Sequence, residues 1–341
     1  MENPGPVQAL REIAFWLERD RADTYRVKAY RRAADVVADL ADSEYREHER
    51  RRDWTTLPGV GAKTAGVIEQ AVAGEVPRYL AELRDAAQPI GYGGELQAAL
   101  RGDLHVHSDW SDGGSPIDEM MRTAATLGHD YCALTDHSPR LTIANGLSAE
   151  RLRTQLAVVR DLNRELAPFR ILTGIEVDIL DDGALDQDSD LLDELDVVVA
   201  SVHSHLRADR SEMTRRMLAA VRNPRVDVLG HCTGRLVEGS RGGRPESKFD
   251  AEKVFQACRE HDVAIEINSR PERRDPPSRL IDLAVDIGCL FAIDTDAHAP
   301  GQLAWQGLGC ERAMRCGVEP ERVVNTWPAD ELLAWTRAAV G

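Results

Sequence analysis

The sequence predicts a small all-α domain followed by a larger α/β barrel of parallel strands. Apolar residues recur at helical spacing from the beginning of the sequence to about residue 85. After Asp103, short apolar runs alternate with helical stretches about seven times. Such strand–helix alternation is typical of a parallel sheet, and this number of units favours a barrel over an open sheet.

The first domain and the segment after it are predicted from a change in residue pattern. Two apolar stripes at helical spacing indicate buried helix faces: Leu10, Ile13 and Leu17, then Val27, Tyr30, Ala34 and Val37. The stretch QPIGYGGELQ, residues 88–97, is rich in Gly and contains Pro, which is typical of a linker. We therefore expect an all-α domain over residues 1–85, a linker over 86–102 and an α/β domain over 103–341.

The strands and helices of the second domain are predicted from their alternating patterns. After DLHVH, the strand-like runs are DYCALTDH, FRILTGIEVDIL, LDVVVASVHS, VDVLGHC, VAIEINS and CLFAIDTDAH. Among them, helices are predicted over residues 148–166, 211–222, 250–261 and 277–288.

The composition is that of a folded chain with an acidic balance. Of 341 residues, 43% are hydrophobic and 29% are charged, and the net charge is −16. This balance excludes a globally basic nucleic-acid coat protein but leaves open a local basic patch. The first residues lack the basic and apolar regions of a signal peptide, and the six cysteines show no CxxC spacing. We expect a cytoplasmic protein with buried thiols and no membrane partner.

Side chains that can bind a metal follow nearly every predicted strand. They are His105, His107, Asp112, His137, Glu176, His203, His231, Asp296 and His298. Because the carboxyl ends of barrel strands form one rim, these residues become neighbours in the fold. His105 and His107 are two residues apart on a strand, so both point to the same side. Imidazole and carboxylate ligands together suit Zn²⁺, Mn²⁺ or Fe²⁺ better than Mg²⁺ or Ca²⁺.

A single histidine at a strand end is more often a hydrogen-bonded structural residue than a metal ligand. Here seven of the ten histidines lie at such places, and the other three, His48, His129 and His261, lie in helical or loop contexts. Since so many independent coincidences are improbable, the sequence predicts a metal site.

Six motifs resemble, in the same order, those of the PHP (polymerase and histidinol phosphatase) superfamily. They are HVHSDWSDG, ALTDHS, GIEVDI, ASVHS, GHC and DTDAH. The resemblance implies a distorted seven-stranded (βα) barrel of the PHP type with three divalent metal ions (Zn, Mn or Fe) and no substituted ligand. The implied ligand sets are His105, His107, Glu176 and Asp296; Glu176, His203 and His231; and Asp112, His137 and His298.

Further segments resemble bacterial family X DNA polymerases. DHSPRLTIANGLS and INSRPERRDPP are similar to their C-terminal PHP domains, and ADTYRVKAYRRAADVV is similar to their lyase-type helical domain. These polymerases carry a nucleotidyltransferase palm between the two, where this sequence has only the short linker. Asp178, Asp181 and Asp182 lie inside the predicted barrel, with no Gly-Ser nucleotide-binding motif before them. We therefore expect no polymerase activity.

LPGVGAKTAGVIEQAV, residues 57–72, resembles a helix-hairpin-helix. Gly59 and Gly61 allow a tight turn, the next helix offers N–H groups to a phosphate, and Lys63 adds a charge. Residues 1–100 hold 14 Lys and Arg against 17 Asp and Glu, so most of the acidic excess lies in the barrel. We expect the hairpin to bind the DNA backbone without reading its sequence. The alternative is a structural or protein-binding hairpin.

The catalytic group that the resemblance implies is a metal-bridging hydroxide held by the nine ligands. Arginines after the strand AIEIN could bind the phosphate: Arg270, Arg273 and Arg274, of which Arg273 matches the family loop best. The alternative is a solvated basic loop. His205 and Asp136 flank ligands and are expected to orient them. Asp103 and Asp109 match no ligand position, and Cys232 is expected in the core.

Three functions are compatible with these features. The first is a metal-dependent phosphoesterase, a 3′–5′ exonuclease or 3′-end-processing enzyme of DNA repair that the hairpin delivers to DNA. The second is a phosphatase for small phosphomonoesters of the histidinol-phosphate kind. The third is a non-catalytic DNA-binding or scaffold protein in which metals hold the barrel together. The intact ligand set favours an enzyme and the hairpin favours DNA as substrate, while the oligomeric state stays open.

Overall fold

The computed structural model describes residues 3–239 and 242–338. These residues form two compact units, which divide between Pro89 and Ile90. Within the described ranges, no helix is both long enough and apolar enough to cross a membrane.

The first unit is all-α and encloses its own core. Its helices are α1 (Pro6–Arg19), α2 (Thr24–Ala38), α3 (Asp42–Arg51), α4 (Ala62–Val72) and α5 (Arg78–Ala86). The two predicted apolar stripes lie on α1 and α2 and are buried in this core together with Trp54, as expected. Asp23 caps α2 by accepting a hydrogen bond from the backbone N–H of Tyr25.

In the described residues, the second unit is a barrel of seven parallel strands in chain order. The strands are β1 (Gly102–Val106), β2 (Tyr131–Leu134), β3 (Arg170–Asp178), β4 (Val197–Ser201), β5 (Val228–Leu229), β6 (Ala264–Asn268) and β7 (Phe291–Asp294). Past the end of β1, the backbone N–H of His107 donates to the carbonyl of Ala297, which follows β7. The first and last strands therefore meet and nearly close the barrel, which confirms the predicted fold class.

Helices cover the outside of the barrel. They are α6 (Gly94–Ala99), α7 (Ile117–Thr126), α8 (Ala149–Leu166), α9 (Ser189–Leu192), α10 (Arg210–Val221), α11 (Ala251–Glu260), α12 (Ser278–Ile287), α13 (Gln306–Arg315) and α14 (Ala329–Ala338). The four helices predicted from the sequence correspond to α8, α10, α11 and α12, each within one residue of its expected ends.

Most strand residues are apolar because both faces of the sheet are covered. In β4, Val197 and Val199 pack inside the barrel, whereas Val198 and Ala200 pack outside against α10. Small and branched side chains from the other strands share the interior with β4, among them Ala133, Val228, Ala264 and Ala292. This dry interior leaves the polar strand ends to gather at one rim.

The Gly-rich segment that the sequence predicted as part of a linker contains α6 and packs on α13. Gly91 has φ +70°, and a Cβ there would lie 2.4 Å from the carbonyl oxygen of Gly307. Glycine is therefore required at this close approach. From Ile90 onwards, the segment belongs to the second unit.

Candidate metal centre

The nine predicted ligands converge at the carboxyl-terminal rim of the barrel. In chain order they are His105 on β1 and His107 just after it, Asp112 in the loop after β1, His137 after β2, Glu176 on β3, His203 after β4, His231 after β5, and Asp296 with His298 after β7. Most of these side chains are buried, but Asp112, His203 and His298 keep 36%, 13% and 18% of their side-chain surface exposed. The cluster is therefore open to solvent on one side.

Glu176 lies at the centre of one half of the cluster. Its Oε1 is 2.8 Å from His231 Nε2 and 3.2 Å from His203 Nε2. Its Oε2 is 2.8 Å from His137 Nδ1 and 3.4 Å from His105 Nε2. One carboxylate thus faces four imidazoles within 3.4 Å, and a fifth, His107, lies 3.6 Å from Oε2, an arrangement that can bridge two cations.

Asp112 and Asp296 belong to the other half of the cluster. Asp112 Oδ1 is 3.2 Å from His298 Nε2 and 3.4 Å from His137 Nε2. On the far side, His107 Nε2 is 3.5 Å from Asp296 Oδ1. His107 therefore lies between the two carboxylates and can bind a cation together with either of them.

The ligand atoms form four groups, each with its members within 4.8 Å of one another. These groups are His107, Asp112, His137 and His298; His105, His107 and Asp296; His105, Glu176 and His231; and His137, Glu176 and His203. All nine residues are included, but the division differs from the one that the family resemblance implies. His203 groups with His137 and His231 groups with His105, although His203 and His231 both face Oε1 of Glu176.

Several ring nitrogens of the cluster are buried and make no hydrogen bond of suitable geometry among the described residues, even where a carboxylate oxygen lies close by, as Glu176 Oε2 does to His137 Nδ1. They are His105 Nε2, both nitrogens of His107 and of His203, and Nδ1 of His137 and His231. Buried polar atoms are almost always paired in folded proteins, so this concentration of unpaired nitrogens indicates a ligand. Imidazole and carboxylate together suit Zn²⁺, Mn²⁺ or Fe²⁺, and the residues therefore fit a bound cation.

The electrostatics of the cluster favour anionic carboxylates, which in turn raise the pKa values of His105, His137 and His203, so a cation that binds these imidazoles would displace protons. Burial raises the pKa of Glu176, but His203 and His105 outweigh this and hold it well below its usual range. Burial also raises the pKa of Asp296, but the charge of Arg273 outweighs this and holds that pKa well below its usual range. Burial lowers the pKa of His107 well below its usual range, and the charge of His298 adds to this. Anionic carboxylates and a neutral imidazole are the forms that coordinate metals.

Two buried carboxylates that the sequence analysis did not identify hold ligands in place. Glu266 Oε1 lies 2.5 Å from His105 Nδ1, and Glu266 Oε2 accepts from the backbone N–H of His231. Asp178 Oδ1 accepts from the backbone N–H of His203. One signal could have revealed Glu266, because a charged residue in the fully buried strand β6 needs a partner.

The two residues expected to orient ligands behave differently. Asp136 is buried and accepts hydrogen bonds from the hydroxyls of Ser108 and Ser111, so it fixes the loop that follows β1. His205 is largely exposed, and its Nδ1 lies 2.9 Å from Asp181 Oδ1. Since His205 pairs with Asp181 and not with a candidate ligand, the expectation that it orients the cluster is wrong.

Of the residues without an expected ligand role, Asp103 and Cys232 lie in the interior, whereas Asp109 is exposed. Asp103 is fully buried and accepts from the hydroxyl of Thr295, which joins β1 to the end of β7. Cys232 lies in the core, as expected, and it is one of five buried cysteines among six free thiols.

Two of the three candidate arginines lie at the cluster. Arg273 Nε is 2.9 Å from Asp296 Oδ2. Arg270 Nη1 is 2.8 Å from His298 Nδ1 and donates to the backbone carbonyl of Asp296 at 3.0 Å. Arg274 keeps 56% of its side-chain surface exposed and pairs outside the cluster. The loop after β6 therefore directs two guanidinium groups at the ligand shell.

The hairpin of the first unit brings its three predicted residues to the surface. Gly59 has φ +101°, and a Cβ there would lie 2.5 Å from Arg32 Nε, so the Arg32 side chain covers the turn. Gly61 precedes α4, and its N–H donates to the hydroxyl of Thr64. Lys63 is exposed in the first turn of α4. The turn thus presents a helix N-terminus with two cations beside it.

Two family models match the chain, one in each unit. Residues 1–76 match a helix-hairpin-helix domain, and residues 103–270 match the PHP domain. The chain is a PHP-domain protein. The residues matched to the PHP domain include seven of the nine candidate ligands. The other two, Asp296 and His298, come just after β7 of the same barrel.

Among known proteins, the PHP-domain chain is similar to a polymerase, a phosphatase and a solved phosphatase structure. "DNA polymerase/3'-5' exonuclease PolX" of Bacillus subtilis is 37% identical over 255 residues, which are 73% of this chain and 44% of PolX. The chain thus spans less than half the length of that relative. A "Probable phosphatase" of Aliivibrio fischeri is 29% identical over 238 residues, 66% of this chain and 88% of the phosphatase. The structure of histidinol phosphate phosphatase from Lactococcus lactis, complexed with zinc, L-histidinol and phosphate, has a TM-score of 0.46 at 19% identity and covers 64% of this chain and 94% of its own.

The PHP domain places the chain in a family of metal-dependent phosphoesterases. The resemblance inferred from the sequence motifs is confirmed for both units. In this chain, the candidate metal ligands of the PHP domain lie at the rim described above.

Proposed function

We propose that this PHP-domain protein hydrolyses phosphate esters of DNA, as a 3′–5′ exonuclease or 3′-end-processing enzyme. The observation that carries the proposal is the complete cluster of nine ligands in a chain that also holds a helix-hairpin-helix. The printed name of the relative PolX, a 3′–5′ exonuclease, supports it. In this proposal, residues 1–85 bind DNA, 86–102 connect, and 103–341 carry out hydrolysis.

The cluster would hold three divalent cations, Zn²⁺, Mn²⁺ or Fe²⁺. We propose the ligand sets that the family resemblance implies: His105, His107, Glu176 and Asp296; Glu176, His203 and His231; and Asp112, His137 and His298. The structure brings all nine residues together, although its distances alone group His231 with His105 and His203 with His137. When bound, such cations supply a water nucleophile near neutral pH and neutralise the phosphoryl oxygens.

The protein's own side chains would bind and orient the ester. Arg273 and Arg270 lie beside Asp296, where their planar donor groups can bind phosphoryl oxygens in a bidentate way. Glu266 fixes His105 from behind, so the geometry is set before substrate binds. The exposed side of the cluster, at Asp112, is where the ester would enter.

The hairpin would position DNA without choosing its sequence. The N-terminus of α4, with Lys63 and Arg32 beside it, suits a phosphate of the backbone. Such contacts would lower the KM for DNA and leave the hydrolytic step unchanged.

The experiment compares substrates on the full chain loaded with Mn²⁺. Single-stranded and 3′-recessed DNA, labelled at the 5′ end, is incubated beside histidinol phosphate. We expect a ladder of DNA products shortened from the 3′ end, which is lost in His107→Ala and kept in His205→Ala. Turnover of histidinol phosphate with intact DNA would contradict the proposal.

A second candidate is a phosphatase for small phosphomonoesters. It is favoured by the phosphatase of Aliivibrio fischeri, of which the chain covers 88% without a polymerase palm. The same assay separates the two candidates, because a phosphomonoesterase releases phosphate from histidinol phosphate and leaves internal DNA linkages intact.

A further inference from the structure

A groove between α10 and α11 is lined by cations. It encloses about 570 Å³, and four cations line it: Arg210, Arg215, Arg222 and Lys253. One carboxylate, Asp250, lies among them. Since the whole chain has a net charge of −16, this local surplus of positive charge departs from the average composition. We name it the α10–α11 groove.

Two of these cations are available to an anionic partner. The carboxylate of Asp250 forms ion pairs with the other two: its Oδ1 is 3.5 Å from Arg210 Nη2, and its Oδ2 is 3.2 Å from Lys253 Nζ. Arg215 on α10 and Arg222 directly after this helix are exposed, and neither has an ion pair within residues 3–239 and 242–338. Their charge therefore faces solvent along the groove.

The groove begins at the rim that carries the candidate metal centre. α10 starts at Arg210, seven residues after His203. The buried side chain of Arg216 donates to the carbonyls of Ile179 at 2.9 Å and Ser204 at 2.8 Å, which ties α10 to the loops after β3 and β4. A helix of 12 residues is about 18 Å long, so the groove leads from this rim along the side of the barrel.

Between its charged residues, the groove is lined by two apolar residues and by the hydroxyl residues Ser211 and Thr214. The two apolar residues are Leu218 and Ala219. A lining of this kind with cations beside it suits a single nucleic-acid strand, whose bases and sugars cover the apolar residues while its phosphates pair with arginines. A peptide of Asp and Glu would pair with the cations but leave the apolar residues uncovered.

We propose that the α10–α11 groove binds single-stranded nucleic acid and leads its phosphate backbone to the metal centre. The inference rests on the proposed function, because it names the path of the strand whose end is hydrolysed. Contacts of this kind act on the backbone and are independent of sequence.

The test uses the full chain with both arginines reversed, Arg215→Glu and Arg222→Glu. Binding of a fluorescent single-stranded DNA is measured over a range of salt concentrations, in a chelator so that the DNA stays intact. Each lost contact with a single strand removes about 0.7 from the slope of log K against log salt, so we expect the slope to become shallower by about 1.4. A matched control, Arg160→Glu with Arg164→Glu on the exposed side of α8, makes the same charge change and should keep the slope.

The outcomes separate the groove from the proposed function. An unchanged slope in the groove variant, or an equal change in the α8 control, overturns the groove assignment. If the groove variant no longer binds poly-glutamate but binds DNA as the wild type does, the groove assignment is overturned in favour of an acidic protein partner. The wild-type chain could bind DNA with a slope that depends on the groove and still shorten no DNA. That result supports the groove assignment and refutes the exonuclease activity. If the double variant does not fold, Arg215→Gln alone should make the slope shallower by about 0.7.

Discussion

His105 donates a hydrogen bond from Nδ1 to Oε1 of Glu266 at 2.5 Å, and both side chains are fully buried. Because a carboxylate can only accept, this bond keeps the proton on Nδ1 and turns Nε2 toward the cluster. Glu266 also accepts from the backbone N–H of His231. One carboxylate thus positions two candidate ligands.

Replacing Glu266 should weaken metal binding without removing a ligand. In Glu266→Gln, an amide NH2 group replaces one carboxylate oxygen. Because this group donates and does not accept, the bonds from His105 and from the backbone N–H of His231 cannot both persist. Loss of such a supporting bond costs about 10–100-fold in metal affinity. Competition with a chelating dye measures this affinity, and Glu260→Gln, on the exposed end of α11, should match the wild type. Equal affinity in all three proteins would show that Glu266 does not position the ligands.

Removing Arg273 should impair hydrolysis, whereas removing Arg274 should not. Arg273 lies against Asp296 at the cluster, while Arg274 in the same loop is turned to solvent. Removing one preorganised donor to a developing negative charge typically costs about 10²–10³ in kcat. We expect a loss of roughly 10² in kcat for Arg273→Ala with Mn²⁺ and histidinol phosphate or DNA, and little change for Arg274→Ala. Similar losses in both variants would remove the assigned role of Arg273.

Adding a methyl group to the hairpin turn should weaken DNA binding alone. Gly59→Ala places a side chain at φ +101° and against Arg32, a strain of about 1–3 kcal/mol. Gly66→Ala is the matched control, because it lies within α4 with open space around it and should stabilise the helix by roughly 0.5–1 kcal/mol. Fluorescence anisotropy with DNA should show weaker binding for Gly59→Ala only, with turnover of histidinol phosphate unchanged. Unchanged DNA binding would indicate a hairpin that serves structure or a protein partner.

Ionisation of Asp227 should lower the stability of the barrel as pH rises. Burial raises the pKa of this carboxyl well above its usual range, and Asp196 adds to the effect. The folded state therefore holds the proton more tightly than the unfolded chain. The resulting stabilisation is complete below the unfolded pKa of about 4 and is lost as pH rises through the folded pKa.

Asp227→Asn tests this linkage, because the amide cannot ionise. Between about pH 4 and pH 8, its free energy of unfolding should fall less than that of the wild type. Thermal denaturation across this range measures the difference. Asp286→Asn, at an exposed position on α12, should follow the wild type, and a parallel course for Asp227→Asn would show that its carboxyl does not contribute.

The sequence predicted the barrel and its ligands because both depend on patterns that are local in the chain. Strand–helix alternation sets the parallel order, and the residue after each strand reaches the shared rim, as His203 does after β4. The division of ligands into groups could not be predicted this way, because it depends on the distances between individual ring nitrogens and carboxylate oxygens.

Features that depend on contacts between distant segments were missed. Glu266 lies 161 residues from His105, and no local pattern pairs them. His205 neighbours a ligand in the sequence, but its positive φ of 51° turns its ring toward Asp181. The predicted linker likewise gave no sign that Gly91 contacts Gly307.

Metal content is the most direct measure of whether the nine rim residues form one centre. Native mass spectrometry of the full chain, stripped with a chelator and reloaded with Mn²⁺ or Zn²⁺, counts the ions bound per molecule. We predict three ions in the wild type, fewer after Glu176→Gln, whose carboxylate faces four imidazoles, and three in the exposed control Glu194→Gln. A wild-type chain that retains no divalent ion, or a Glu176→Gln chain that retains as many as the wild type, would contradict the proposed centre.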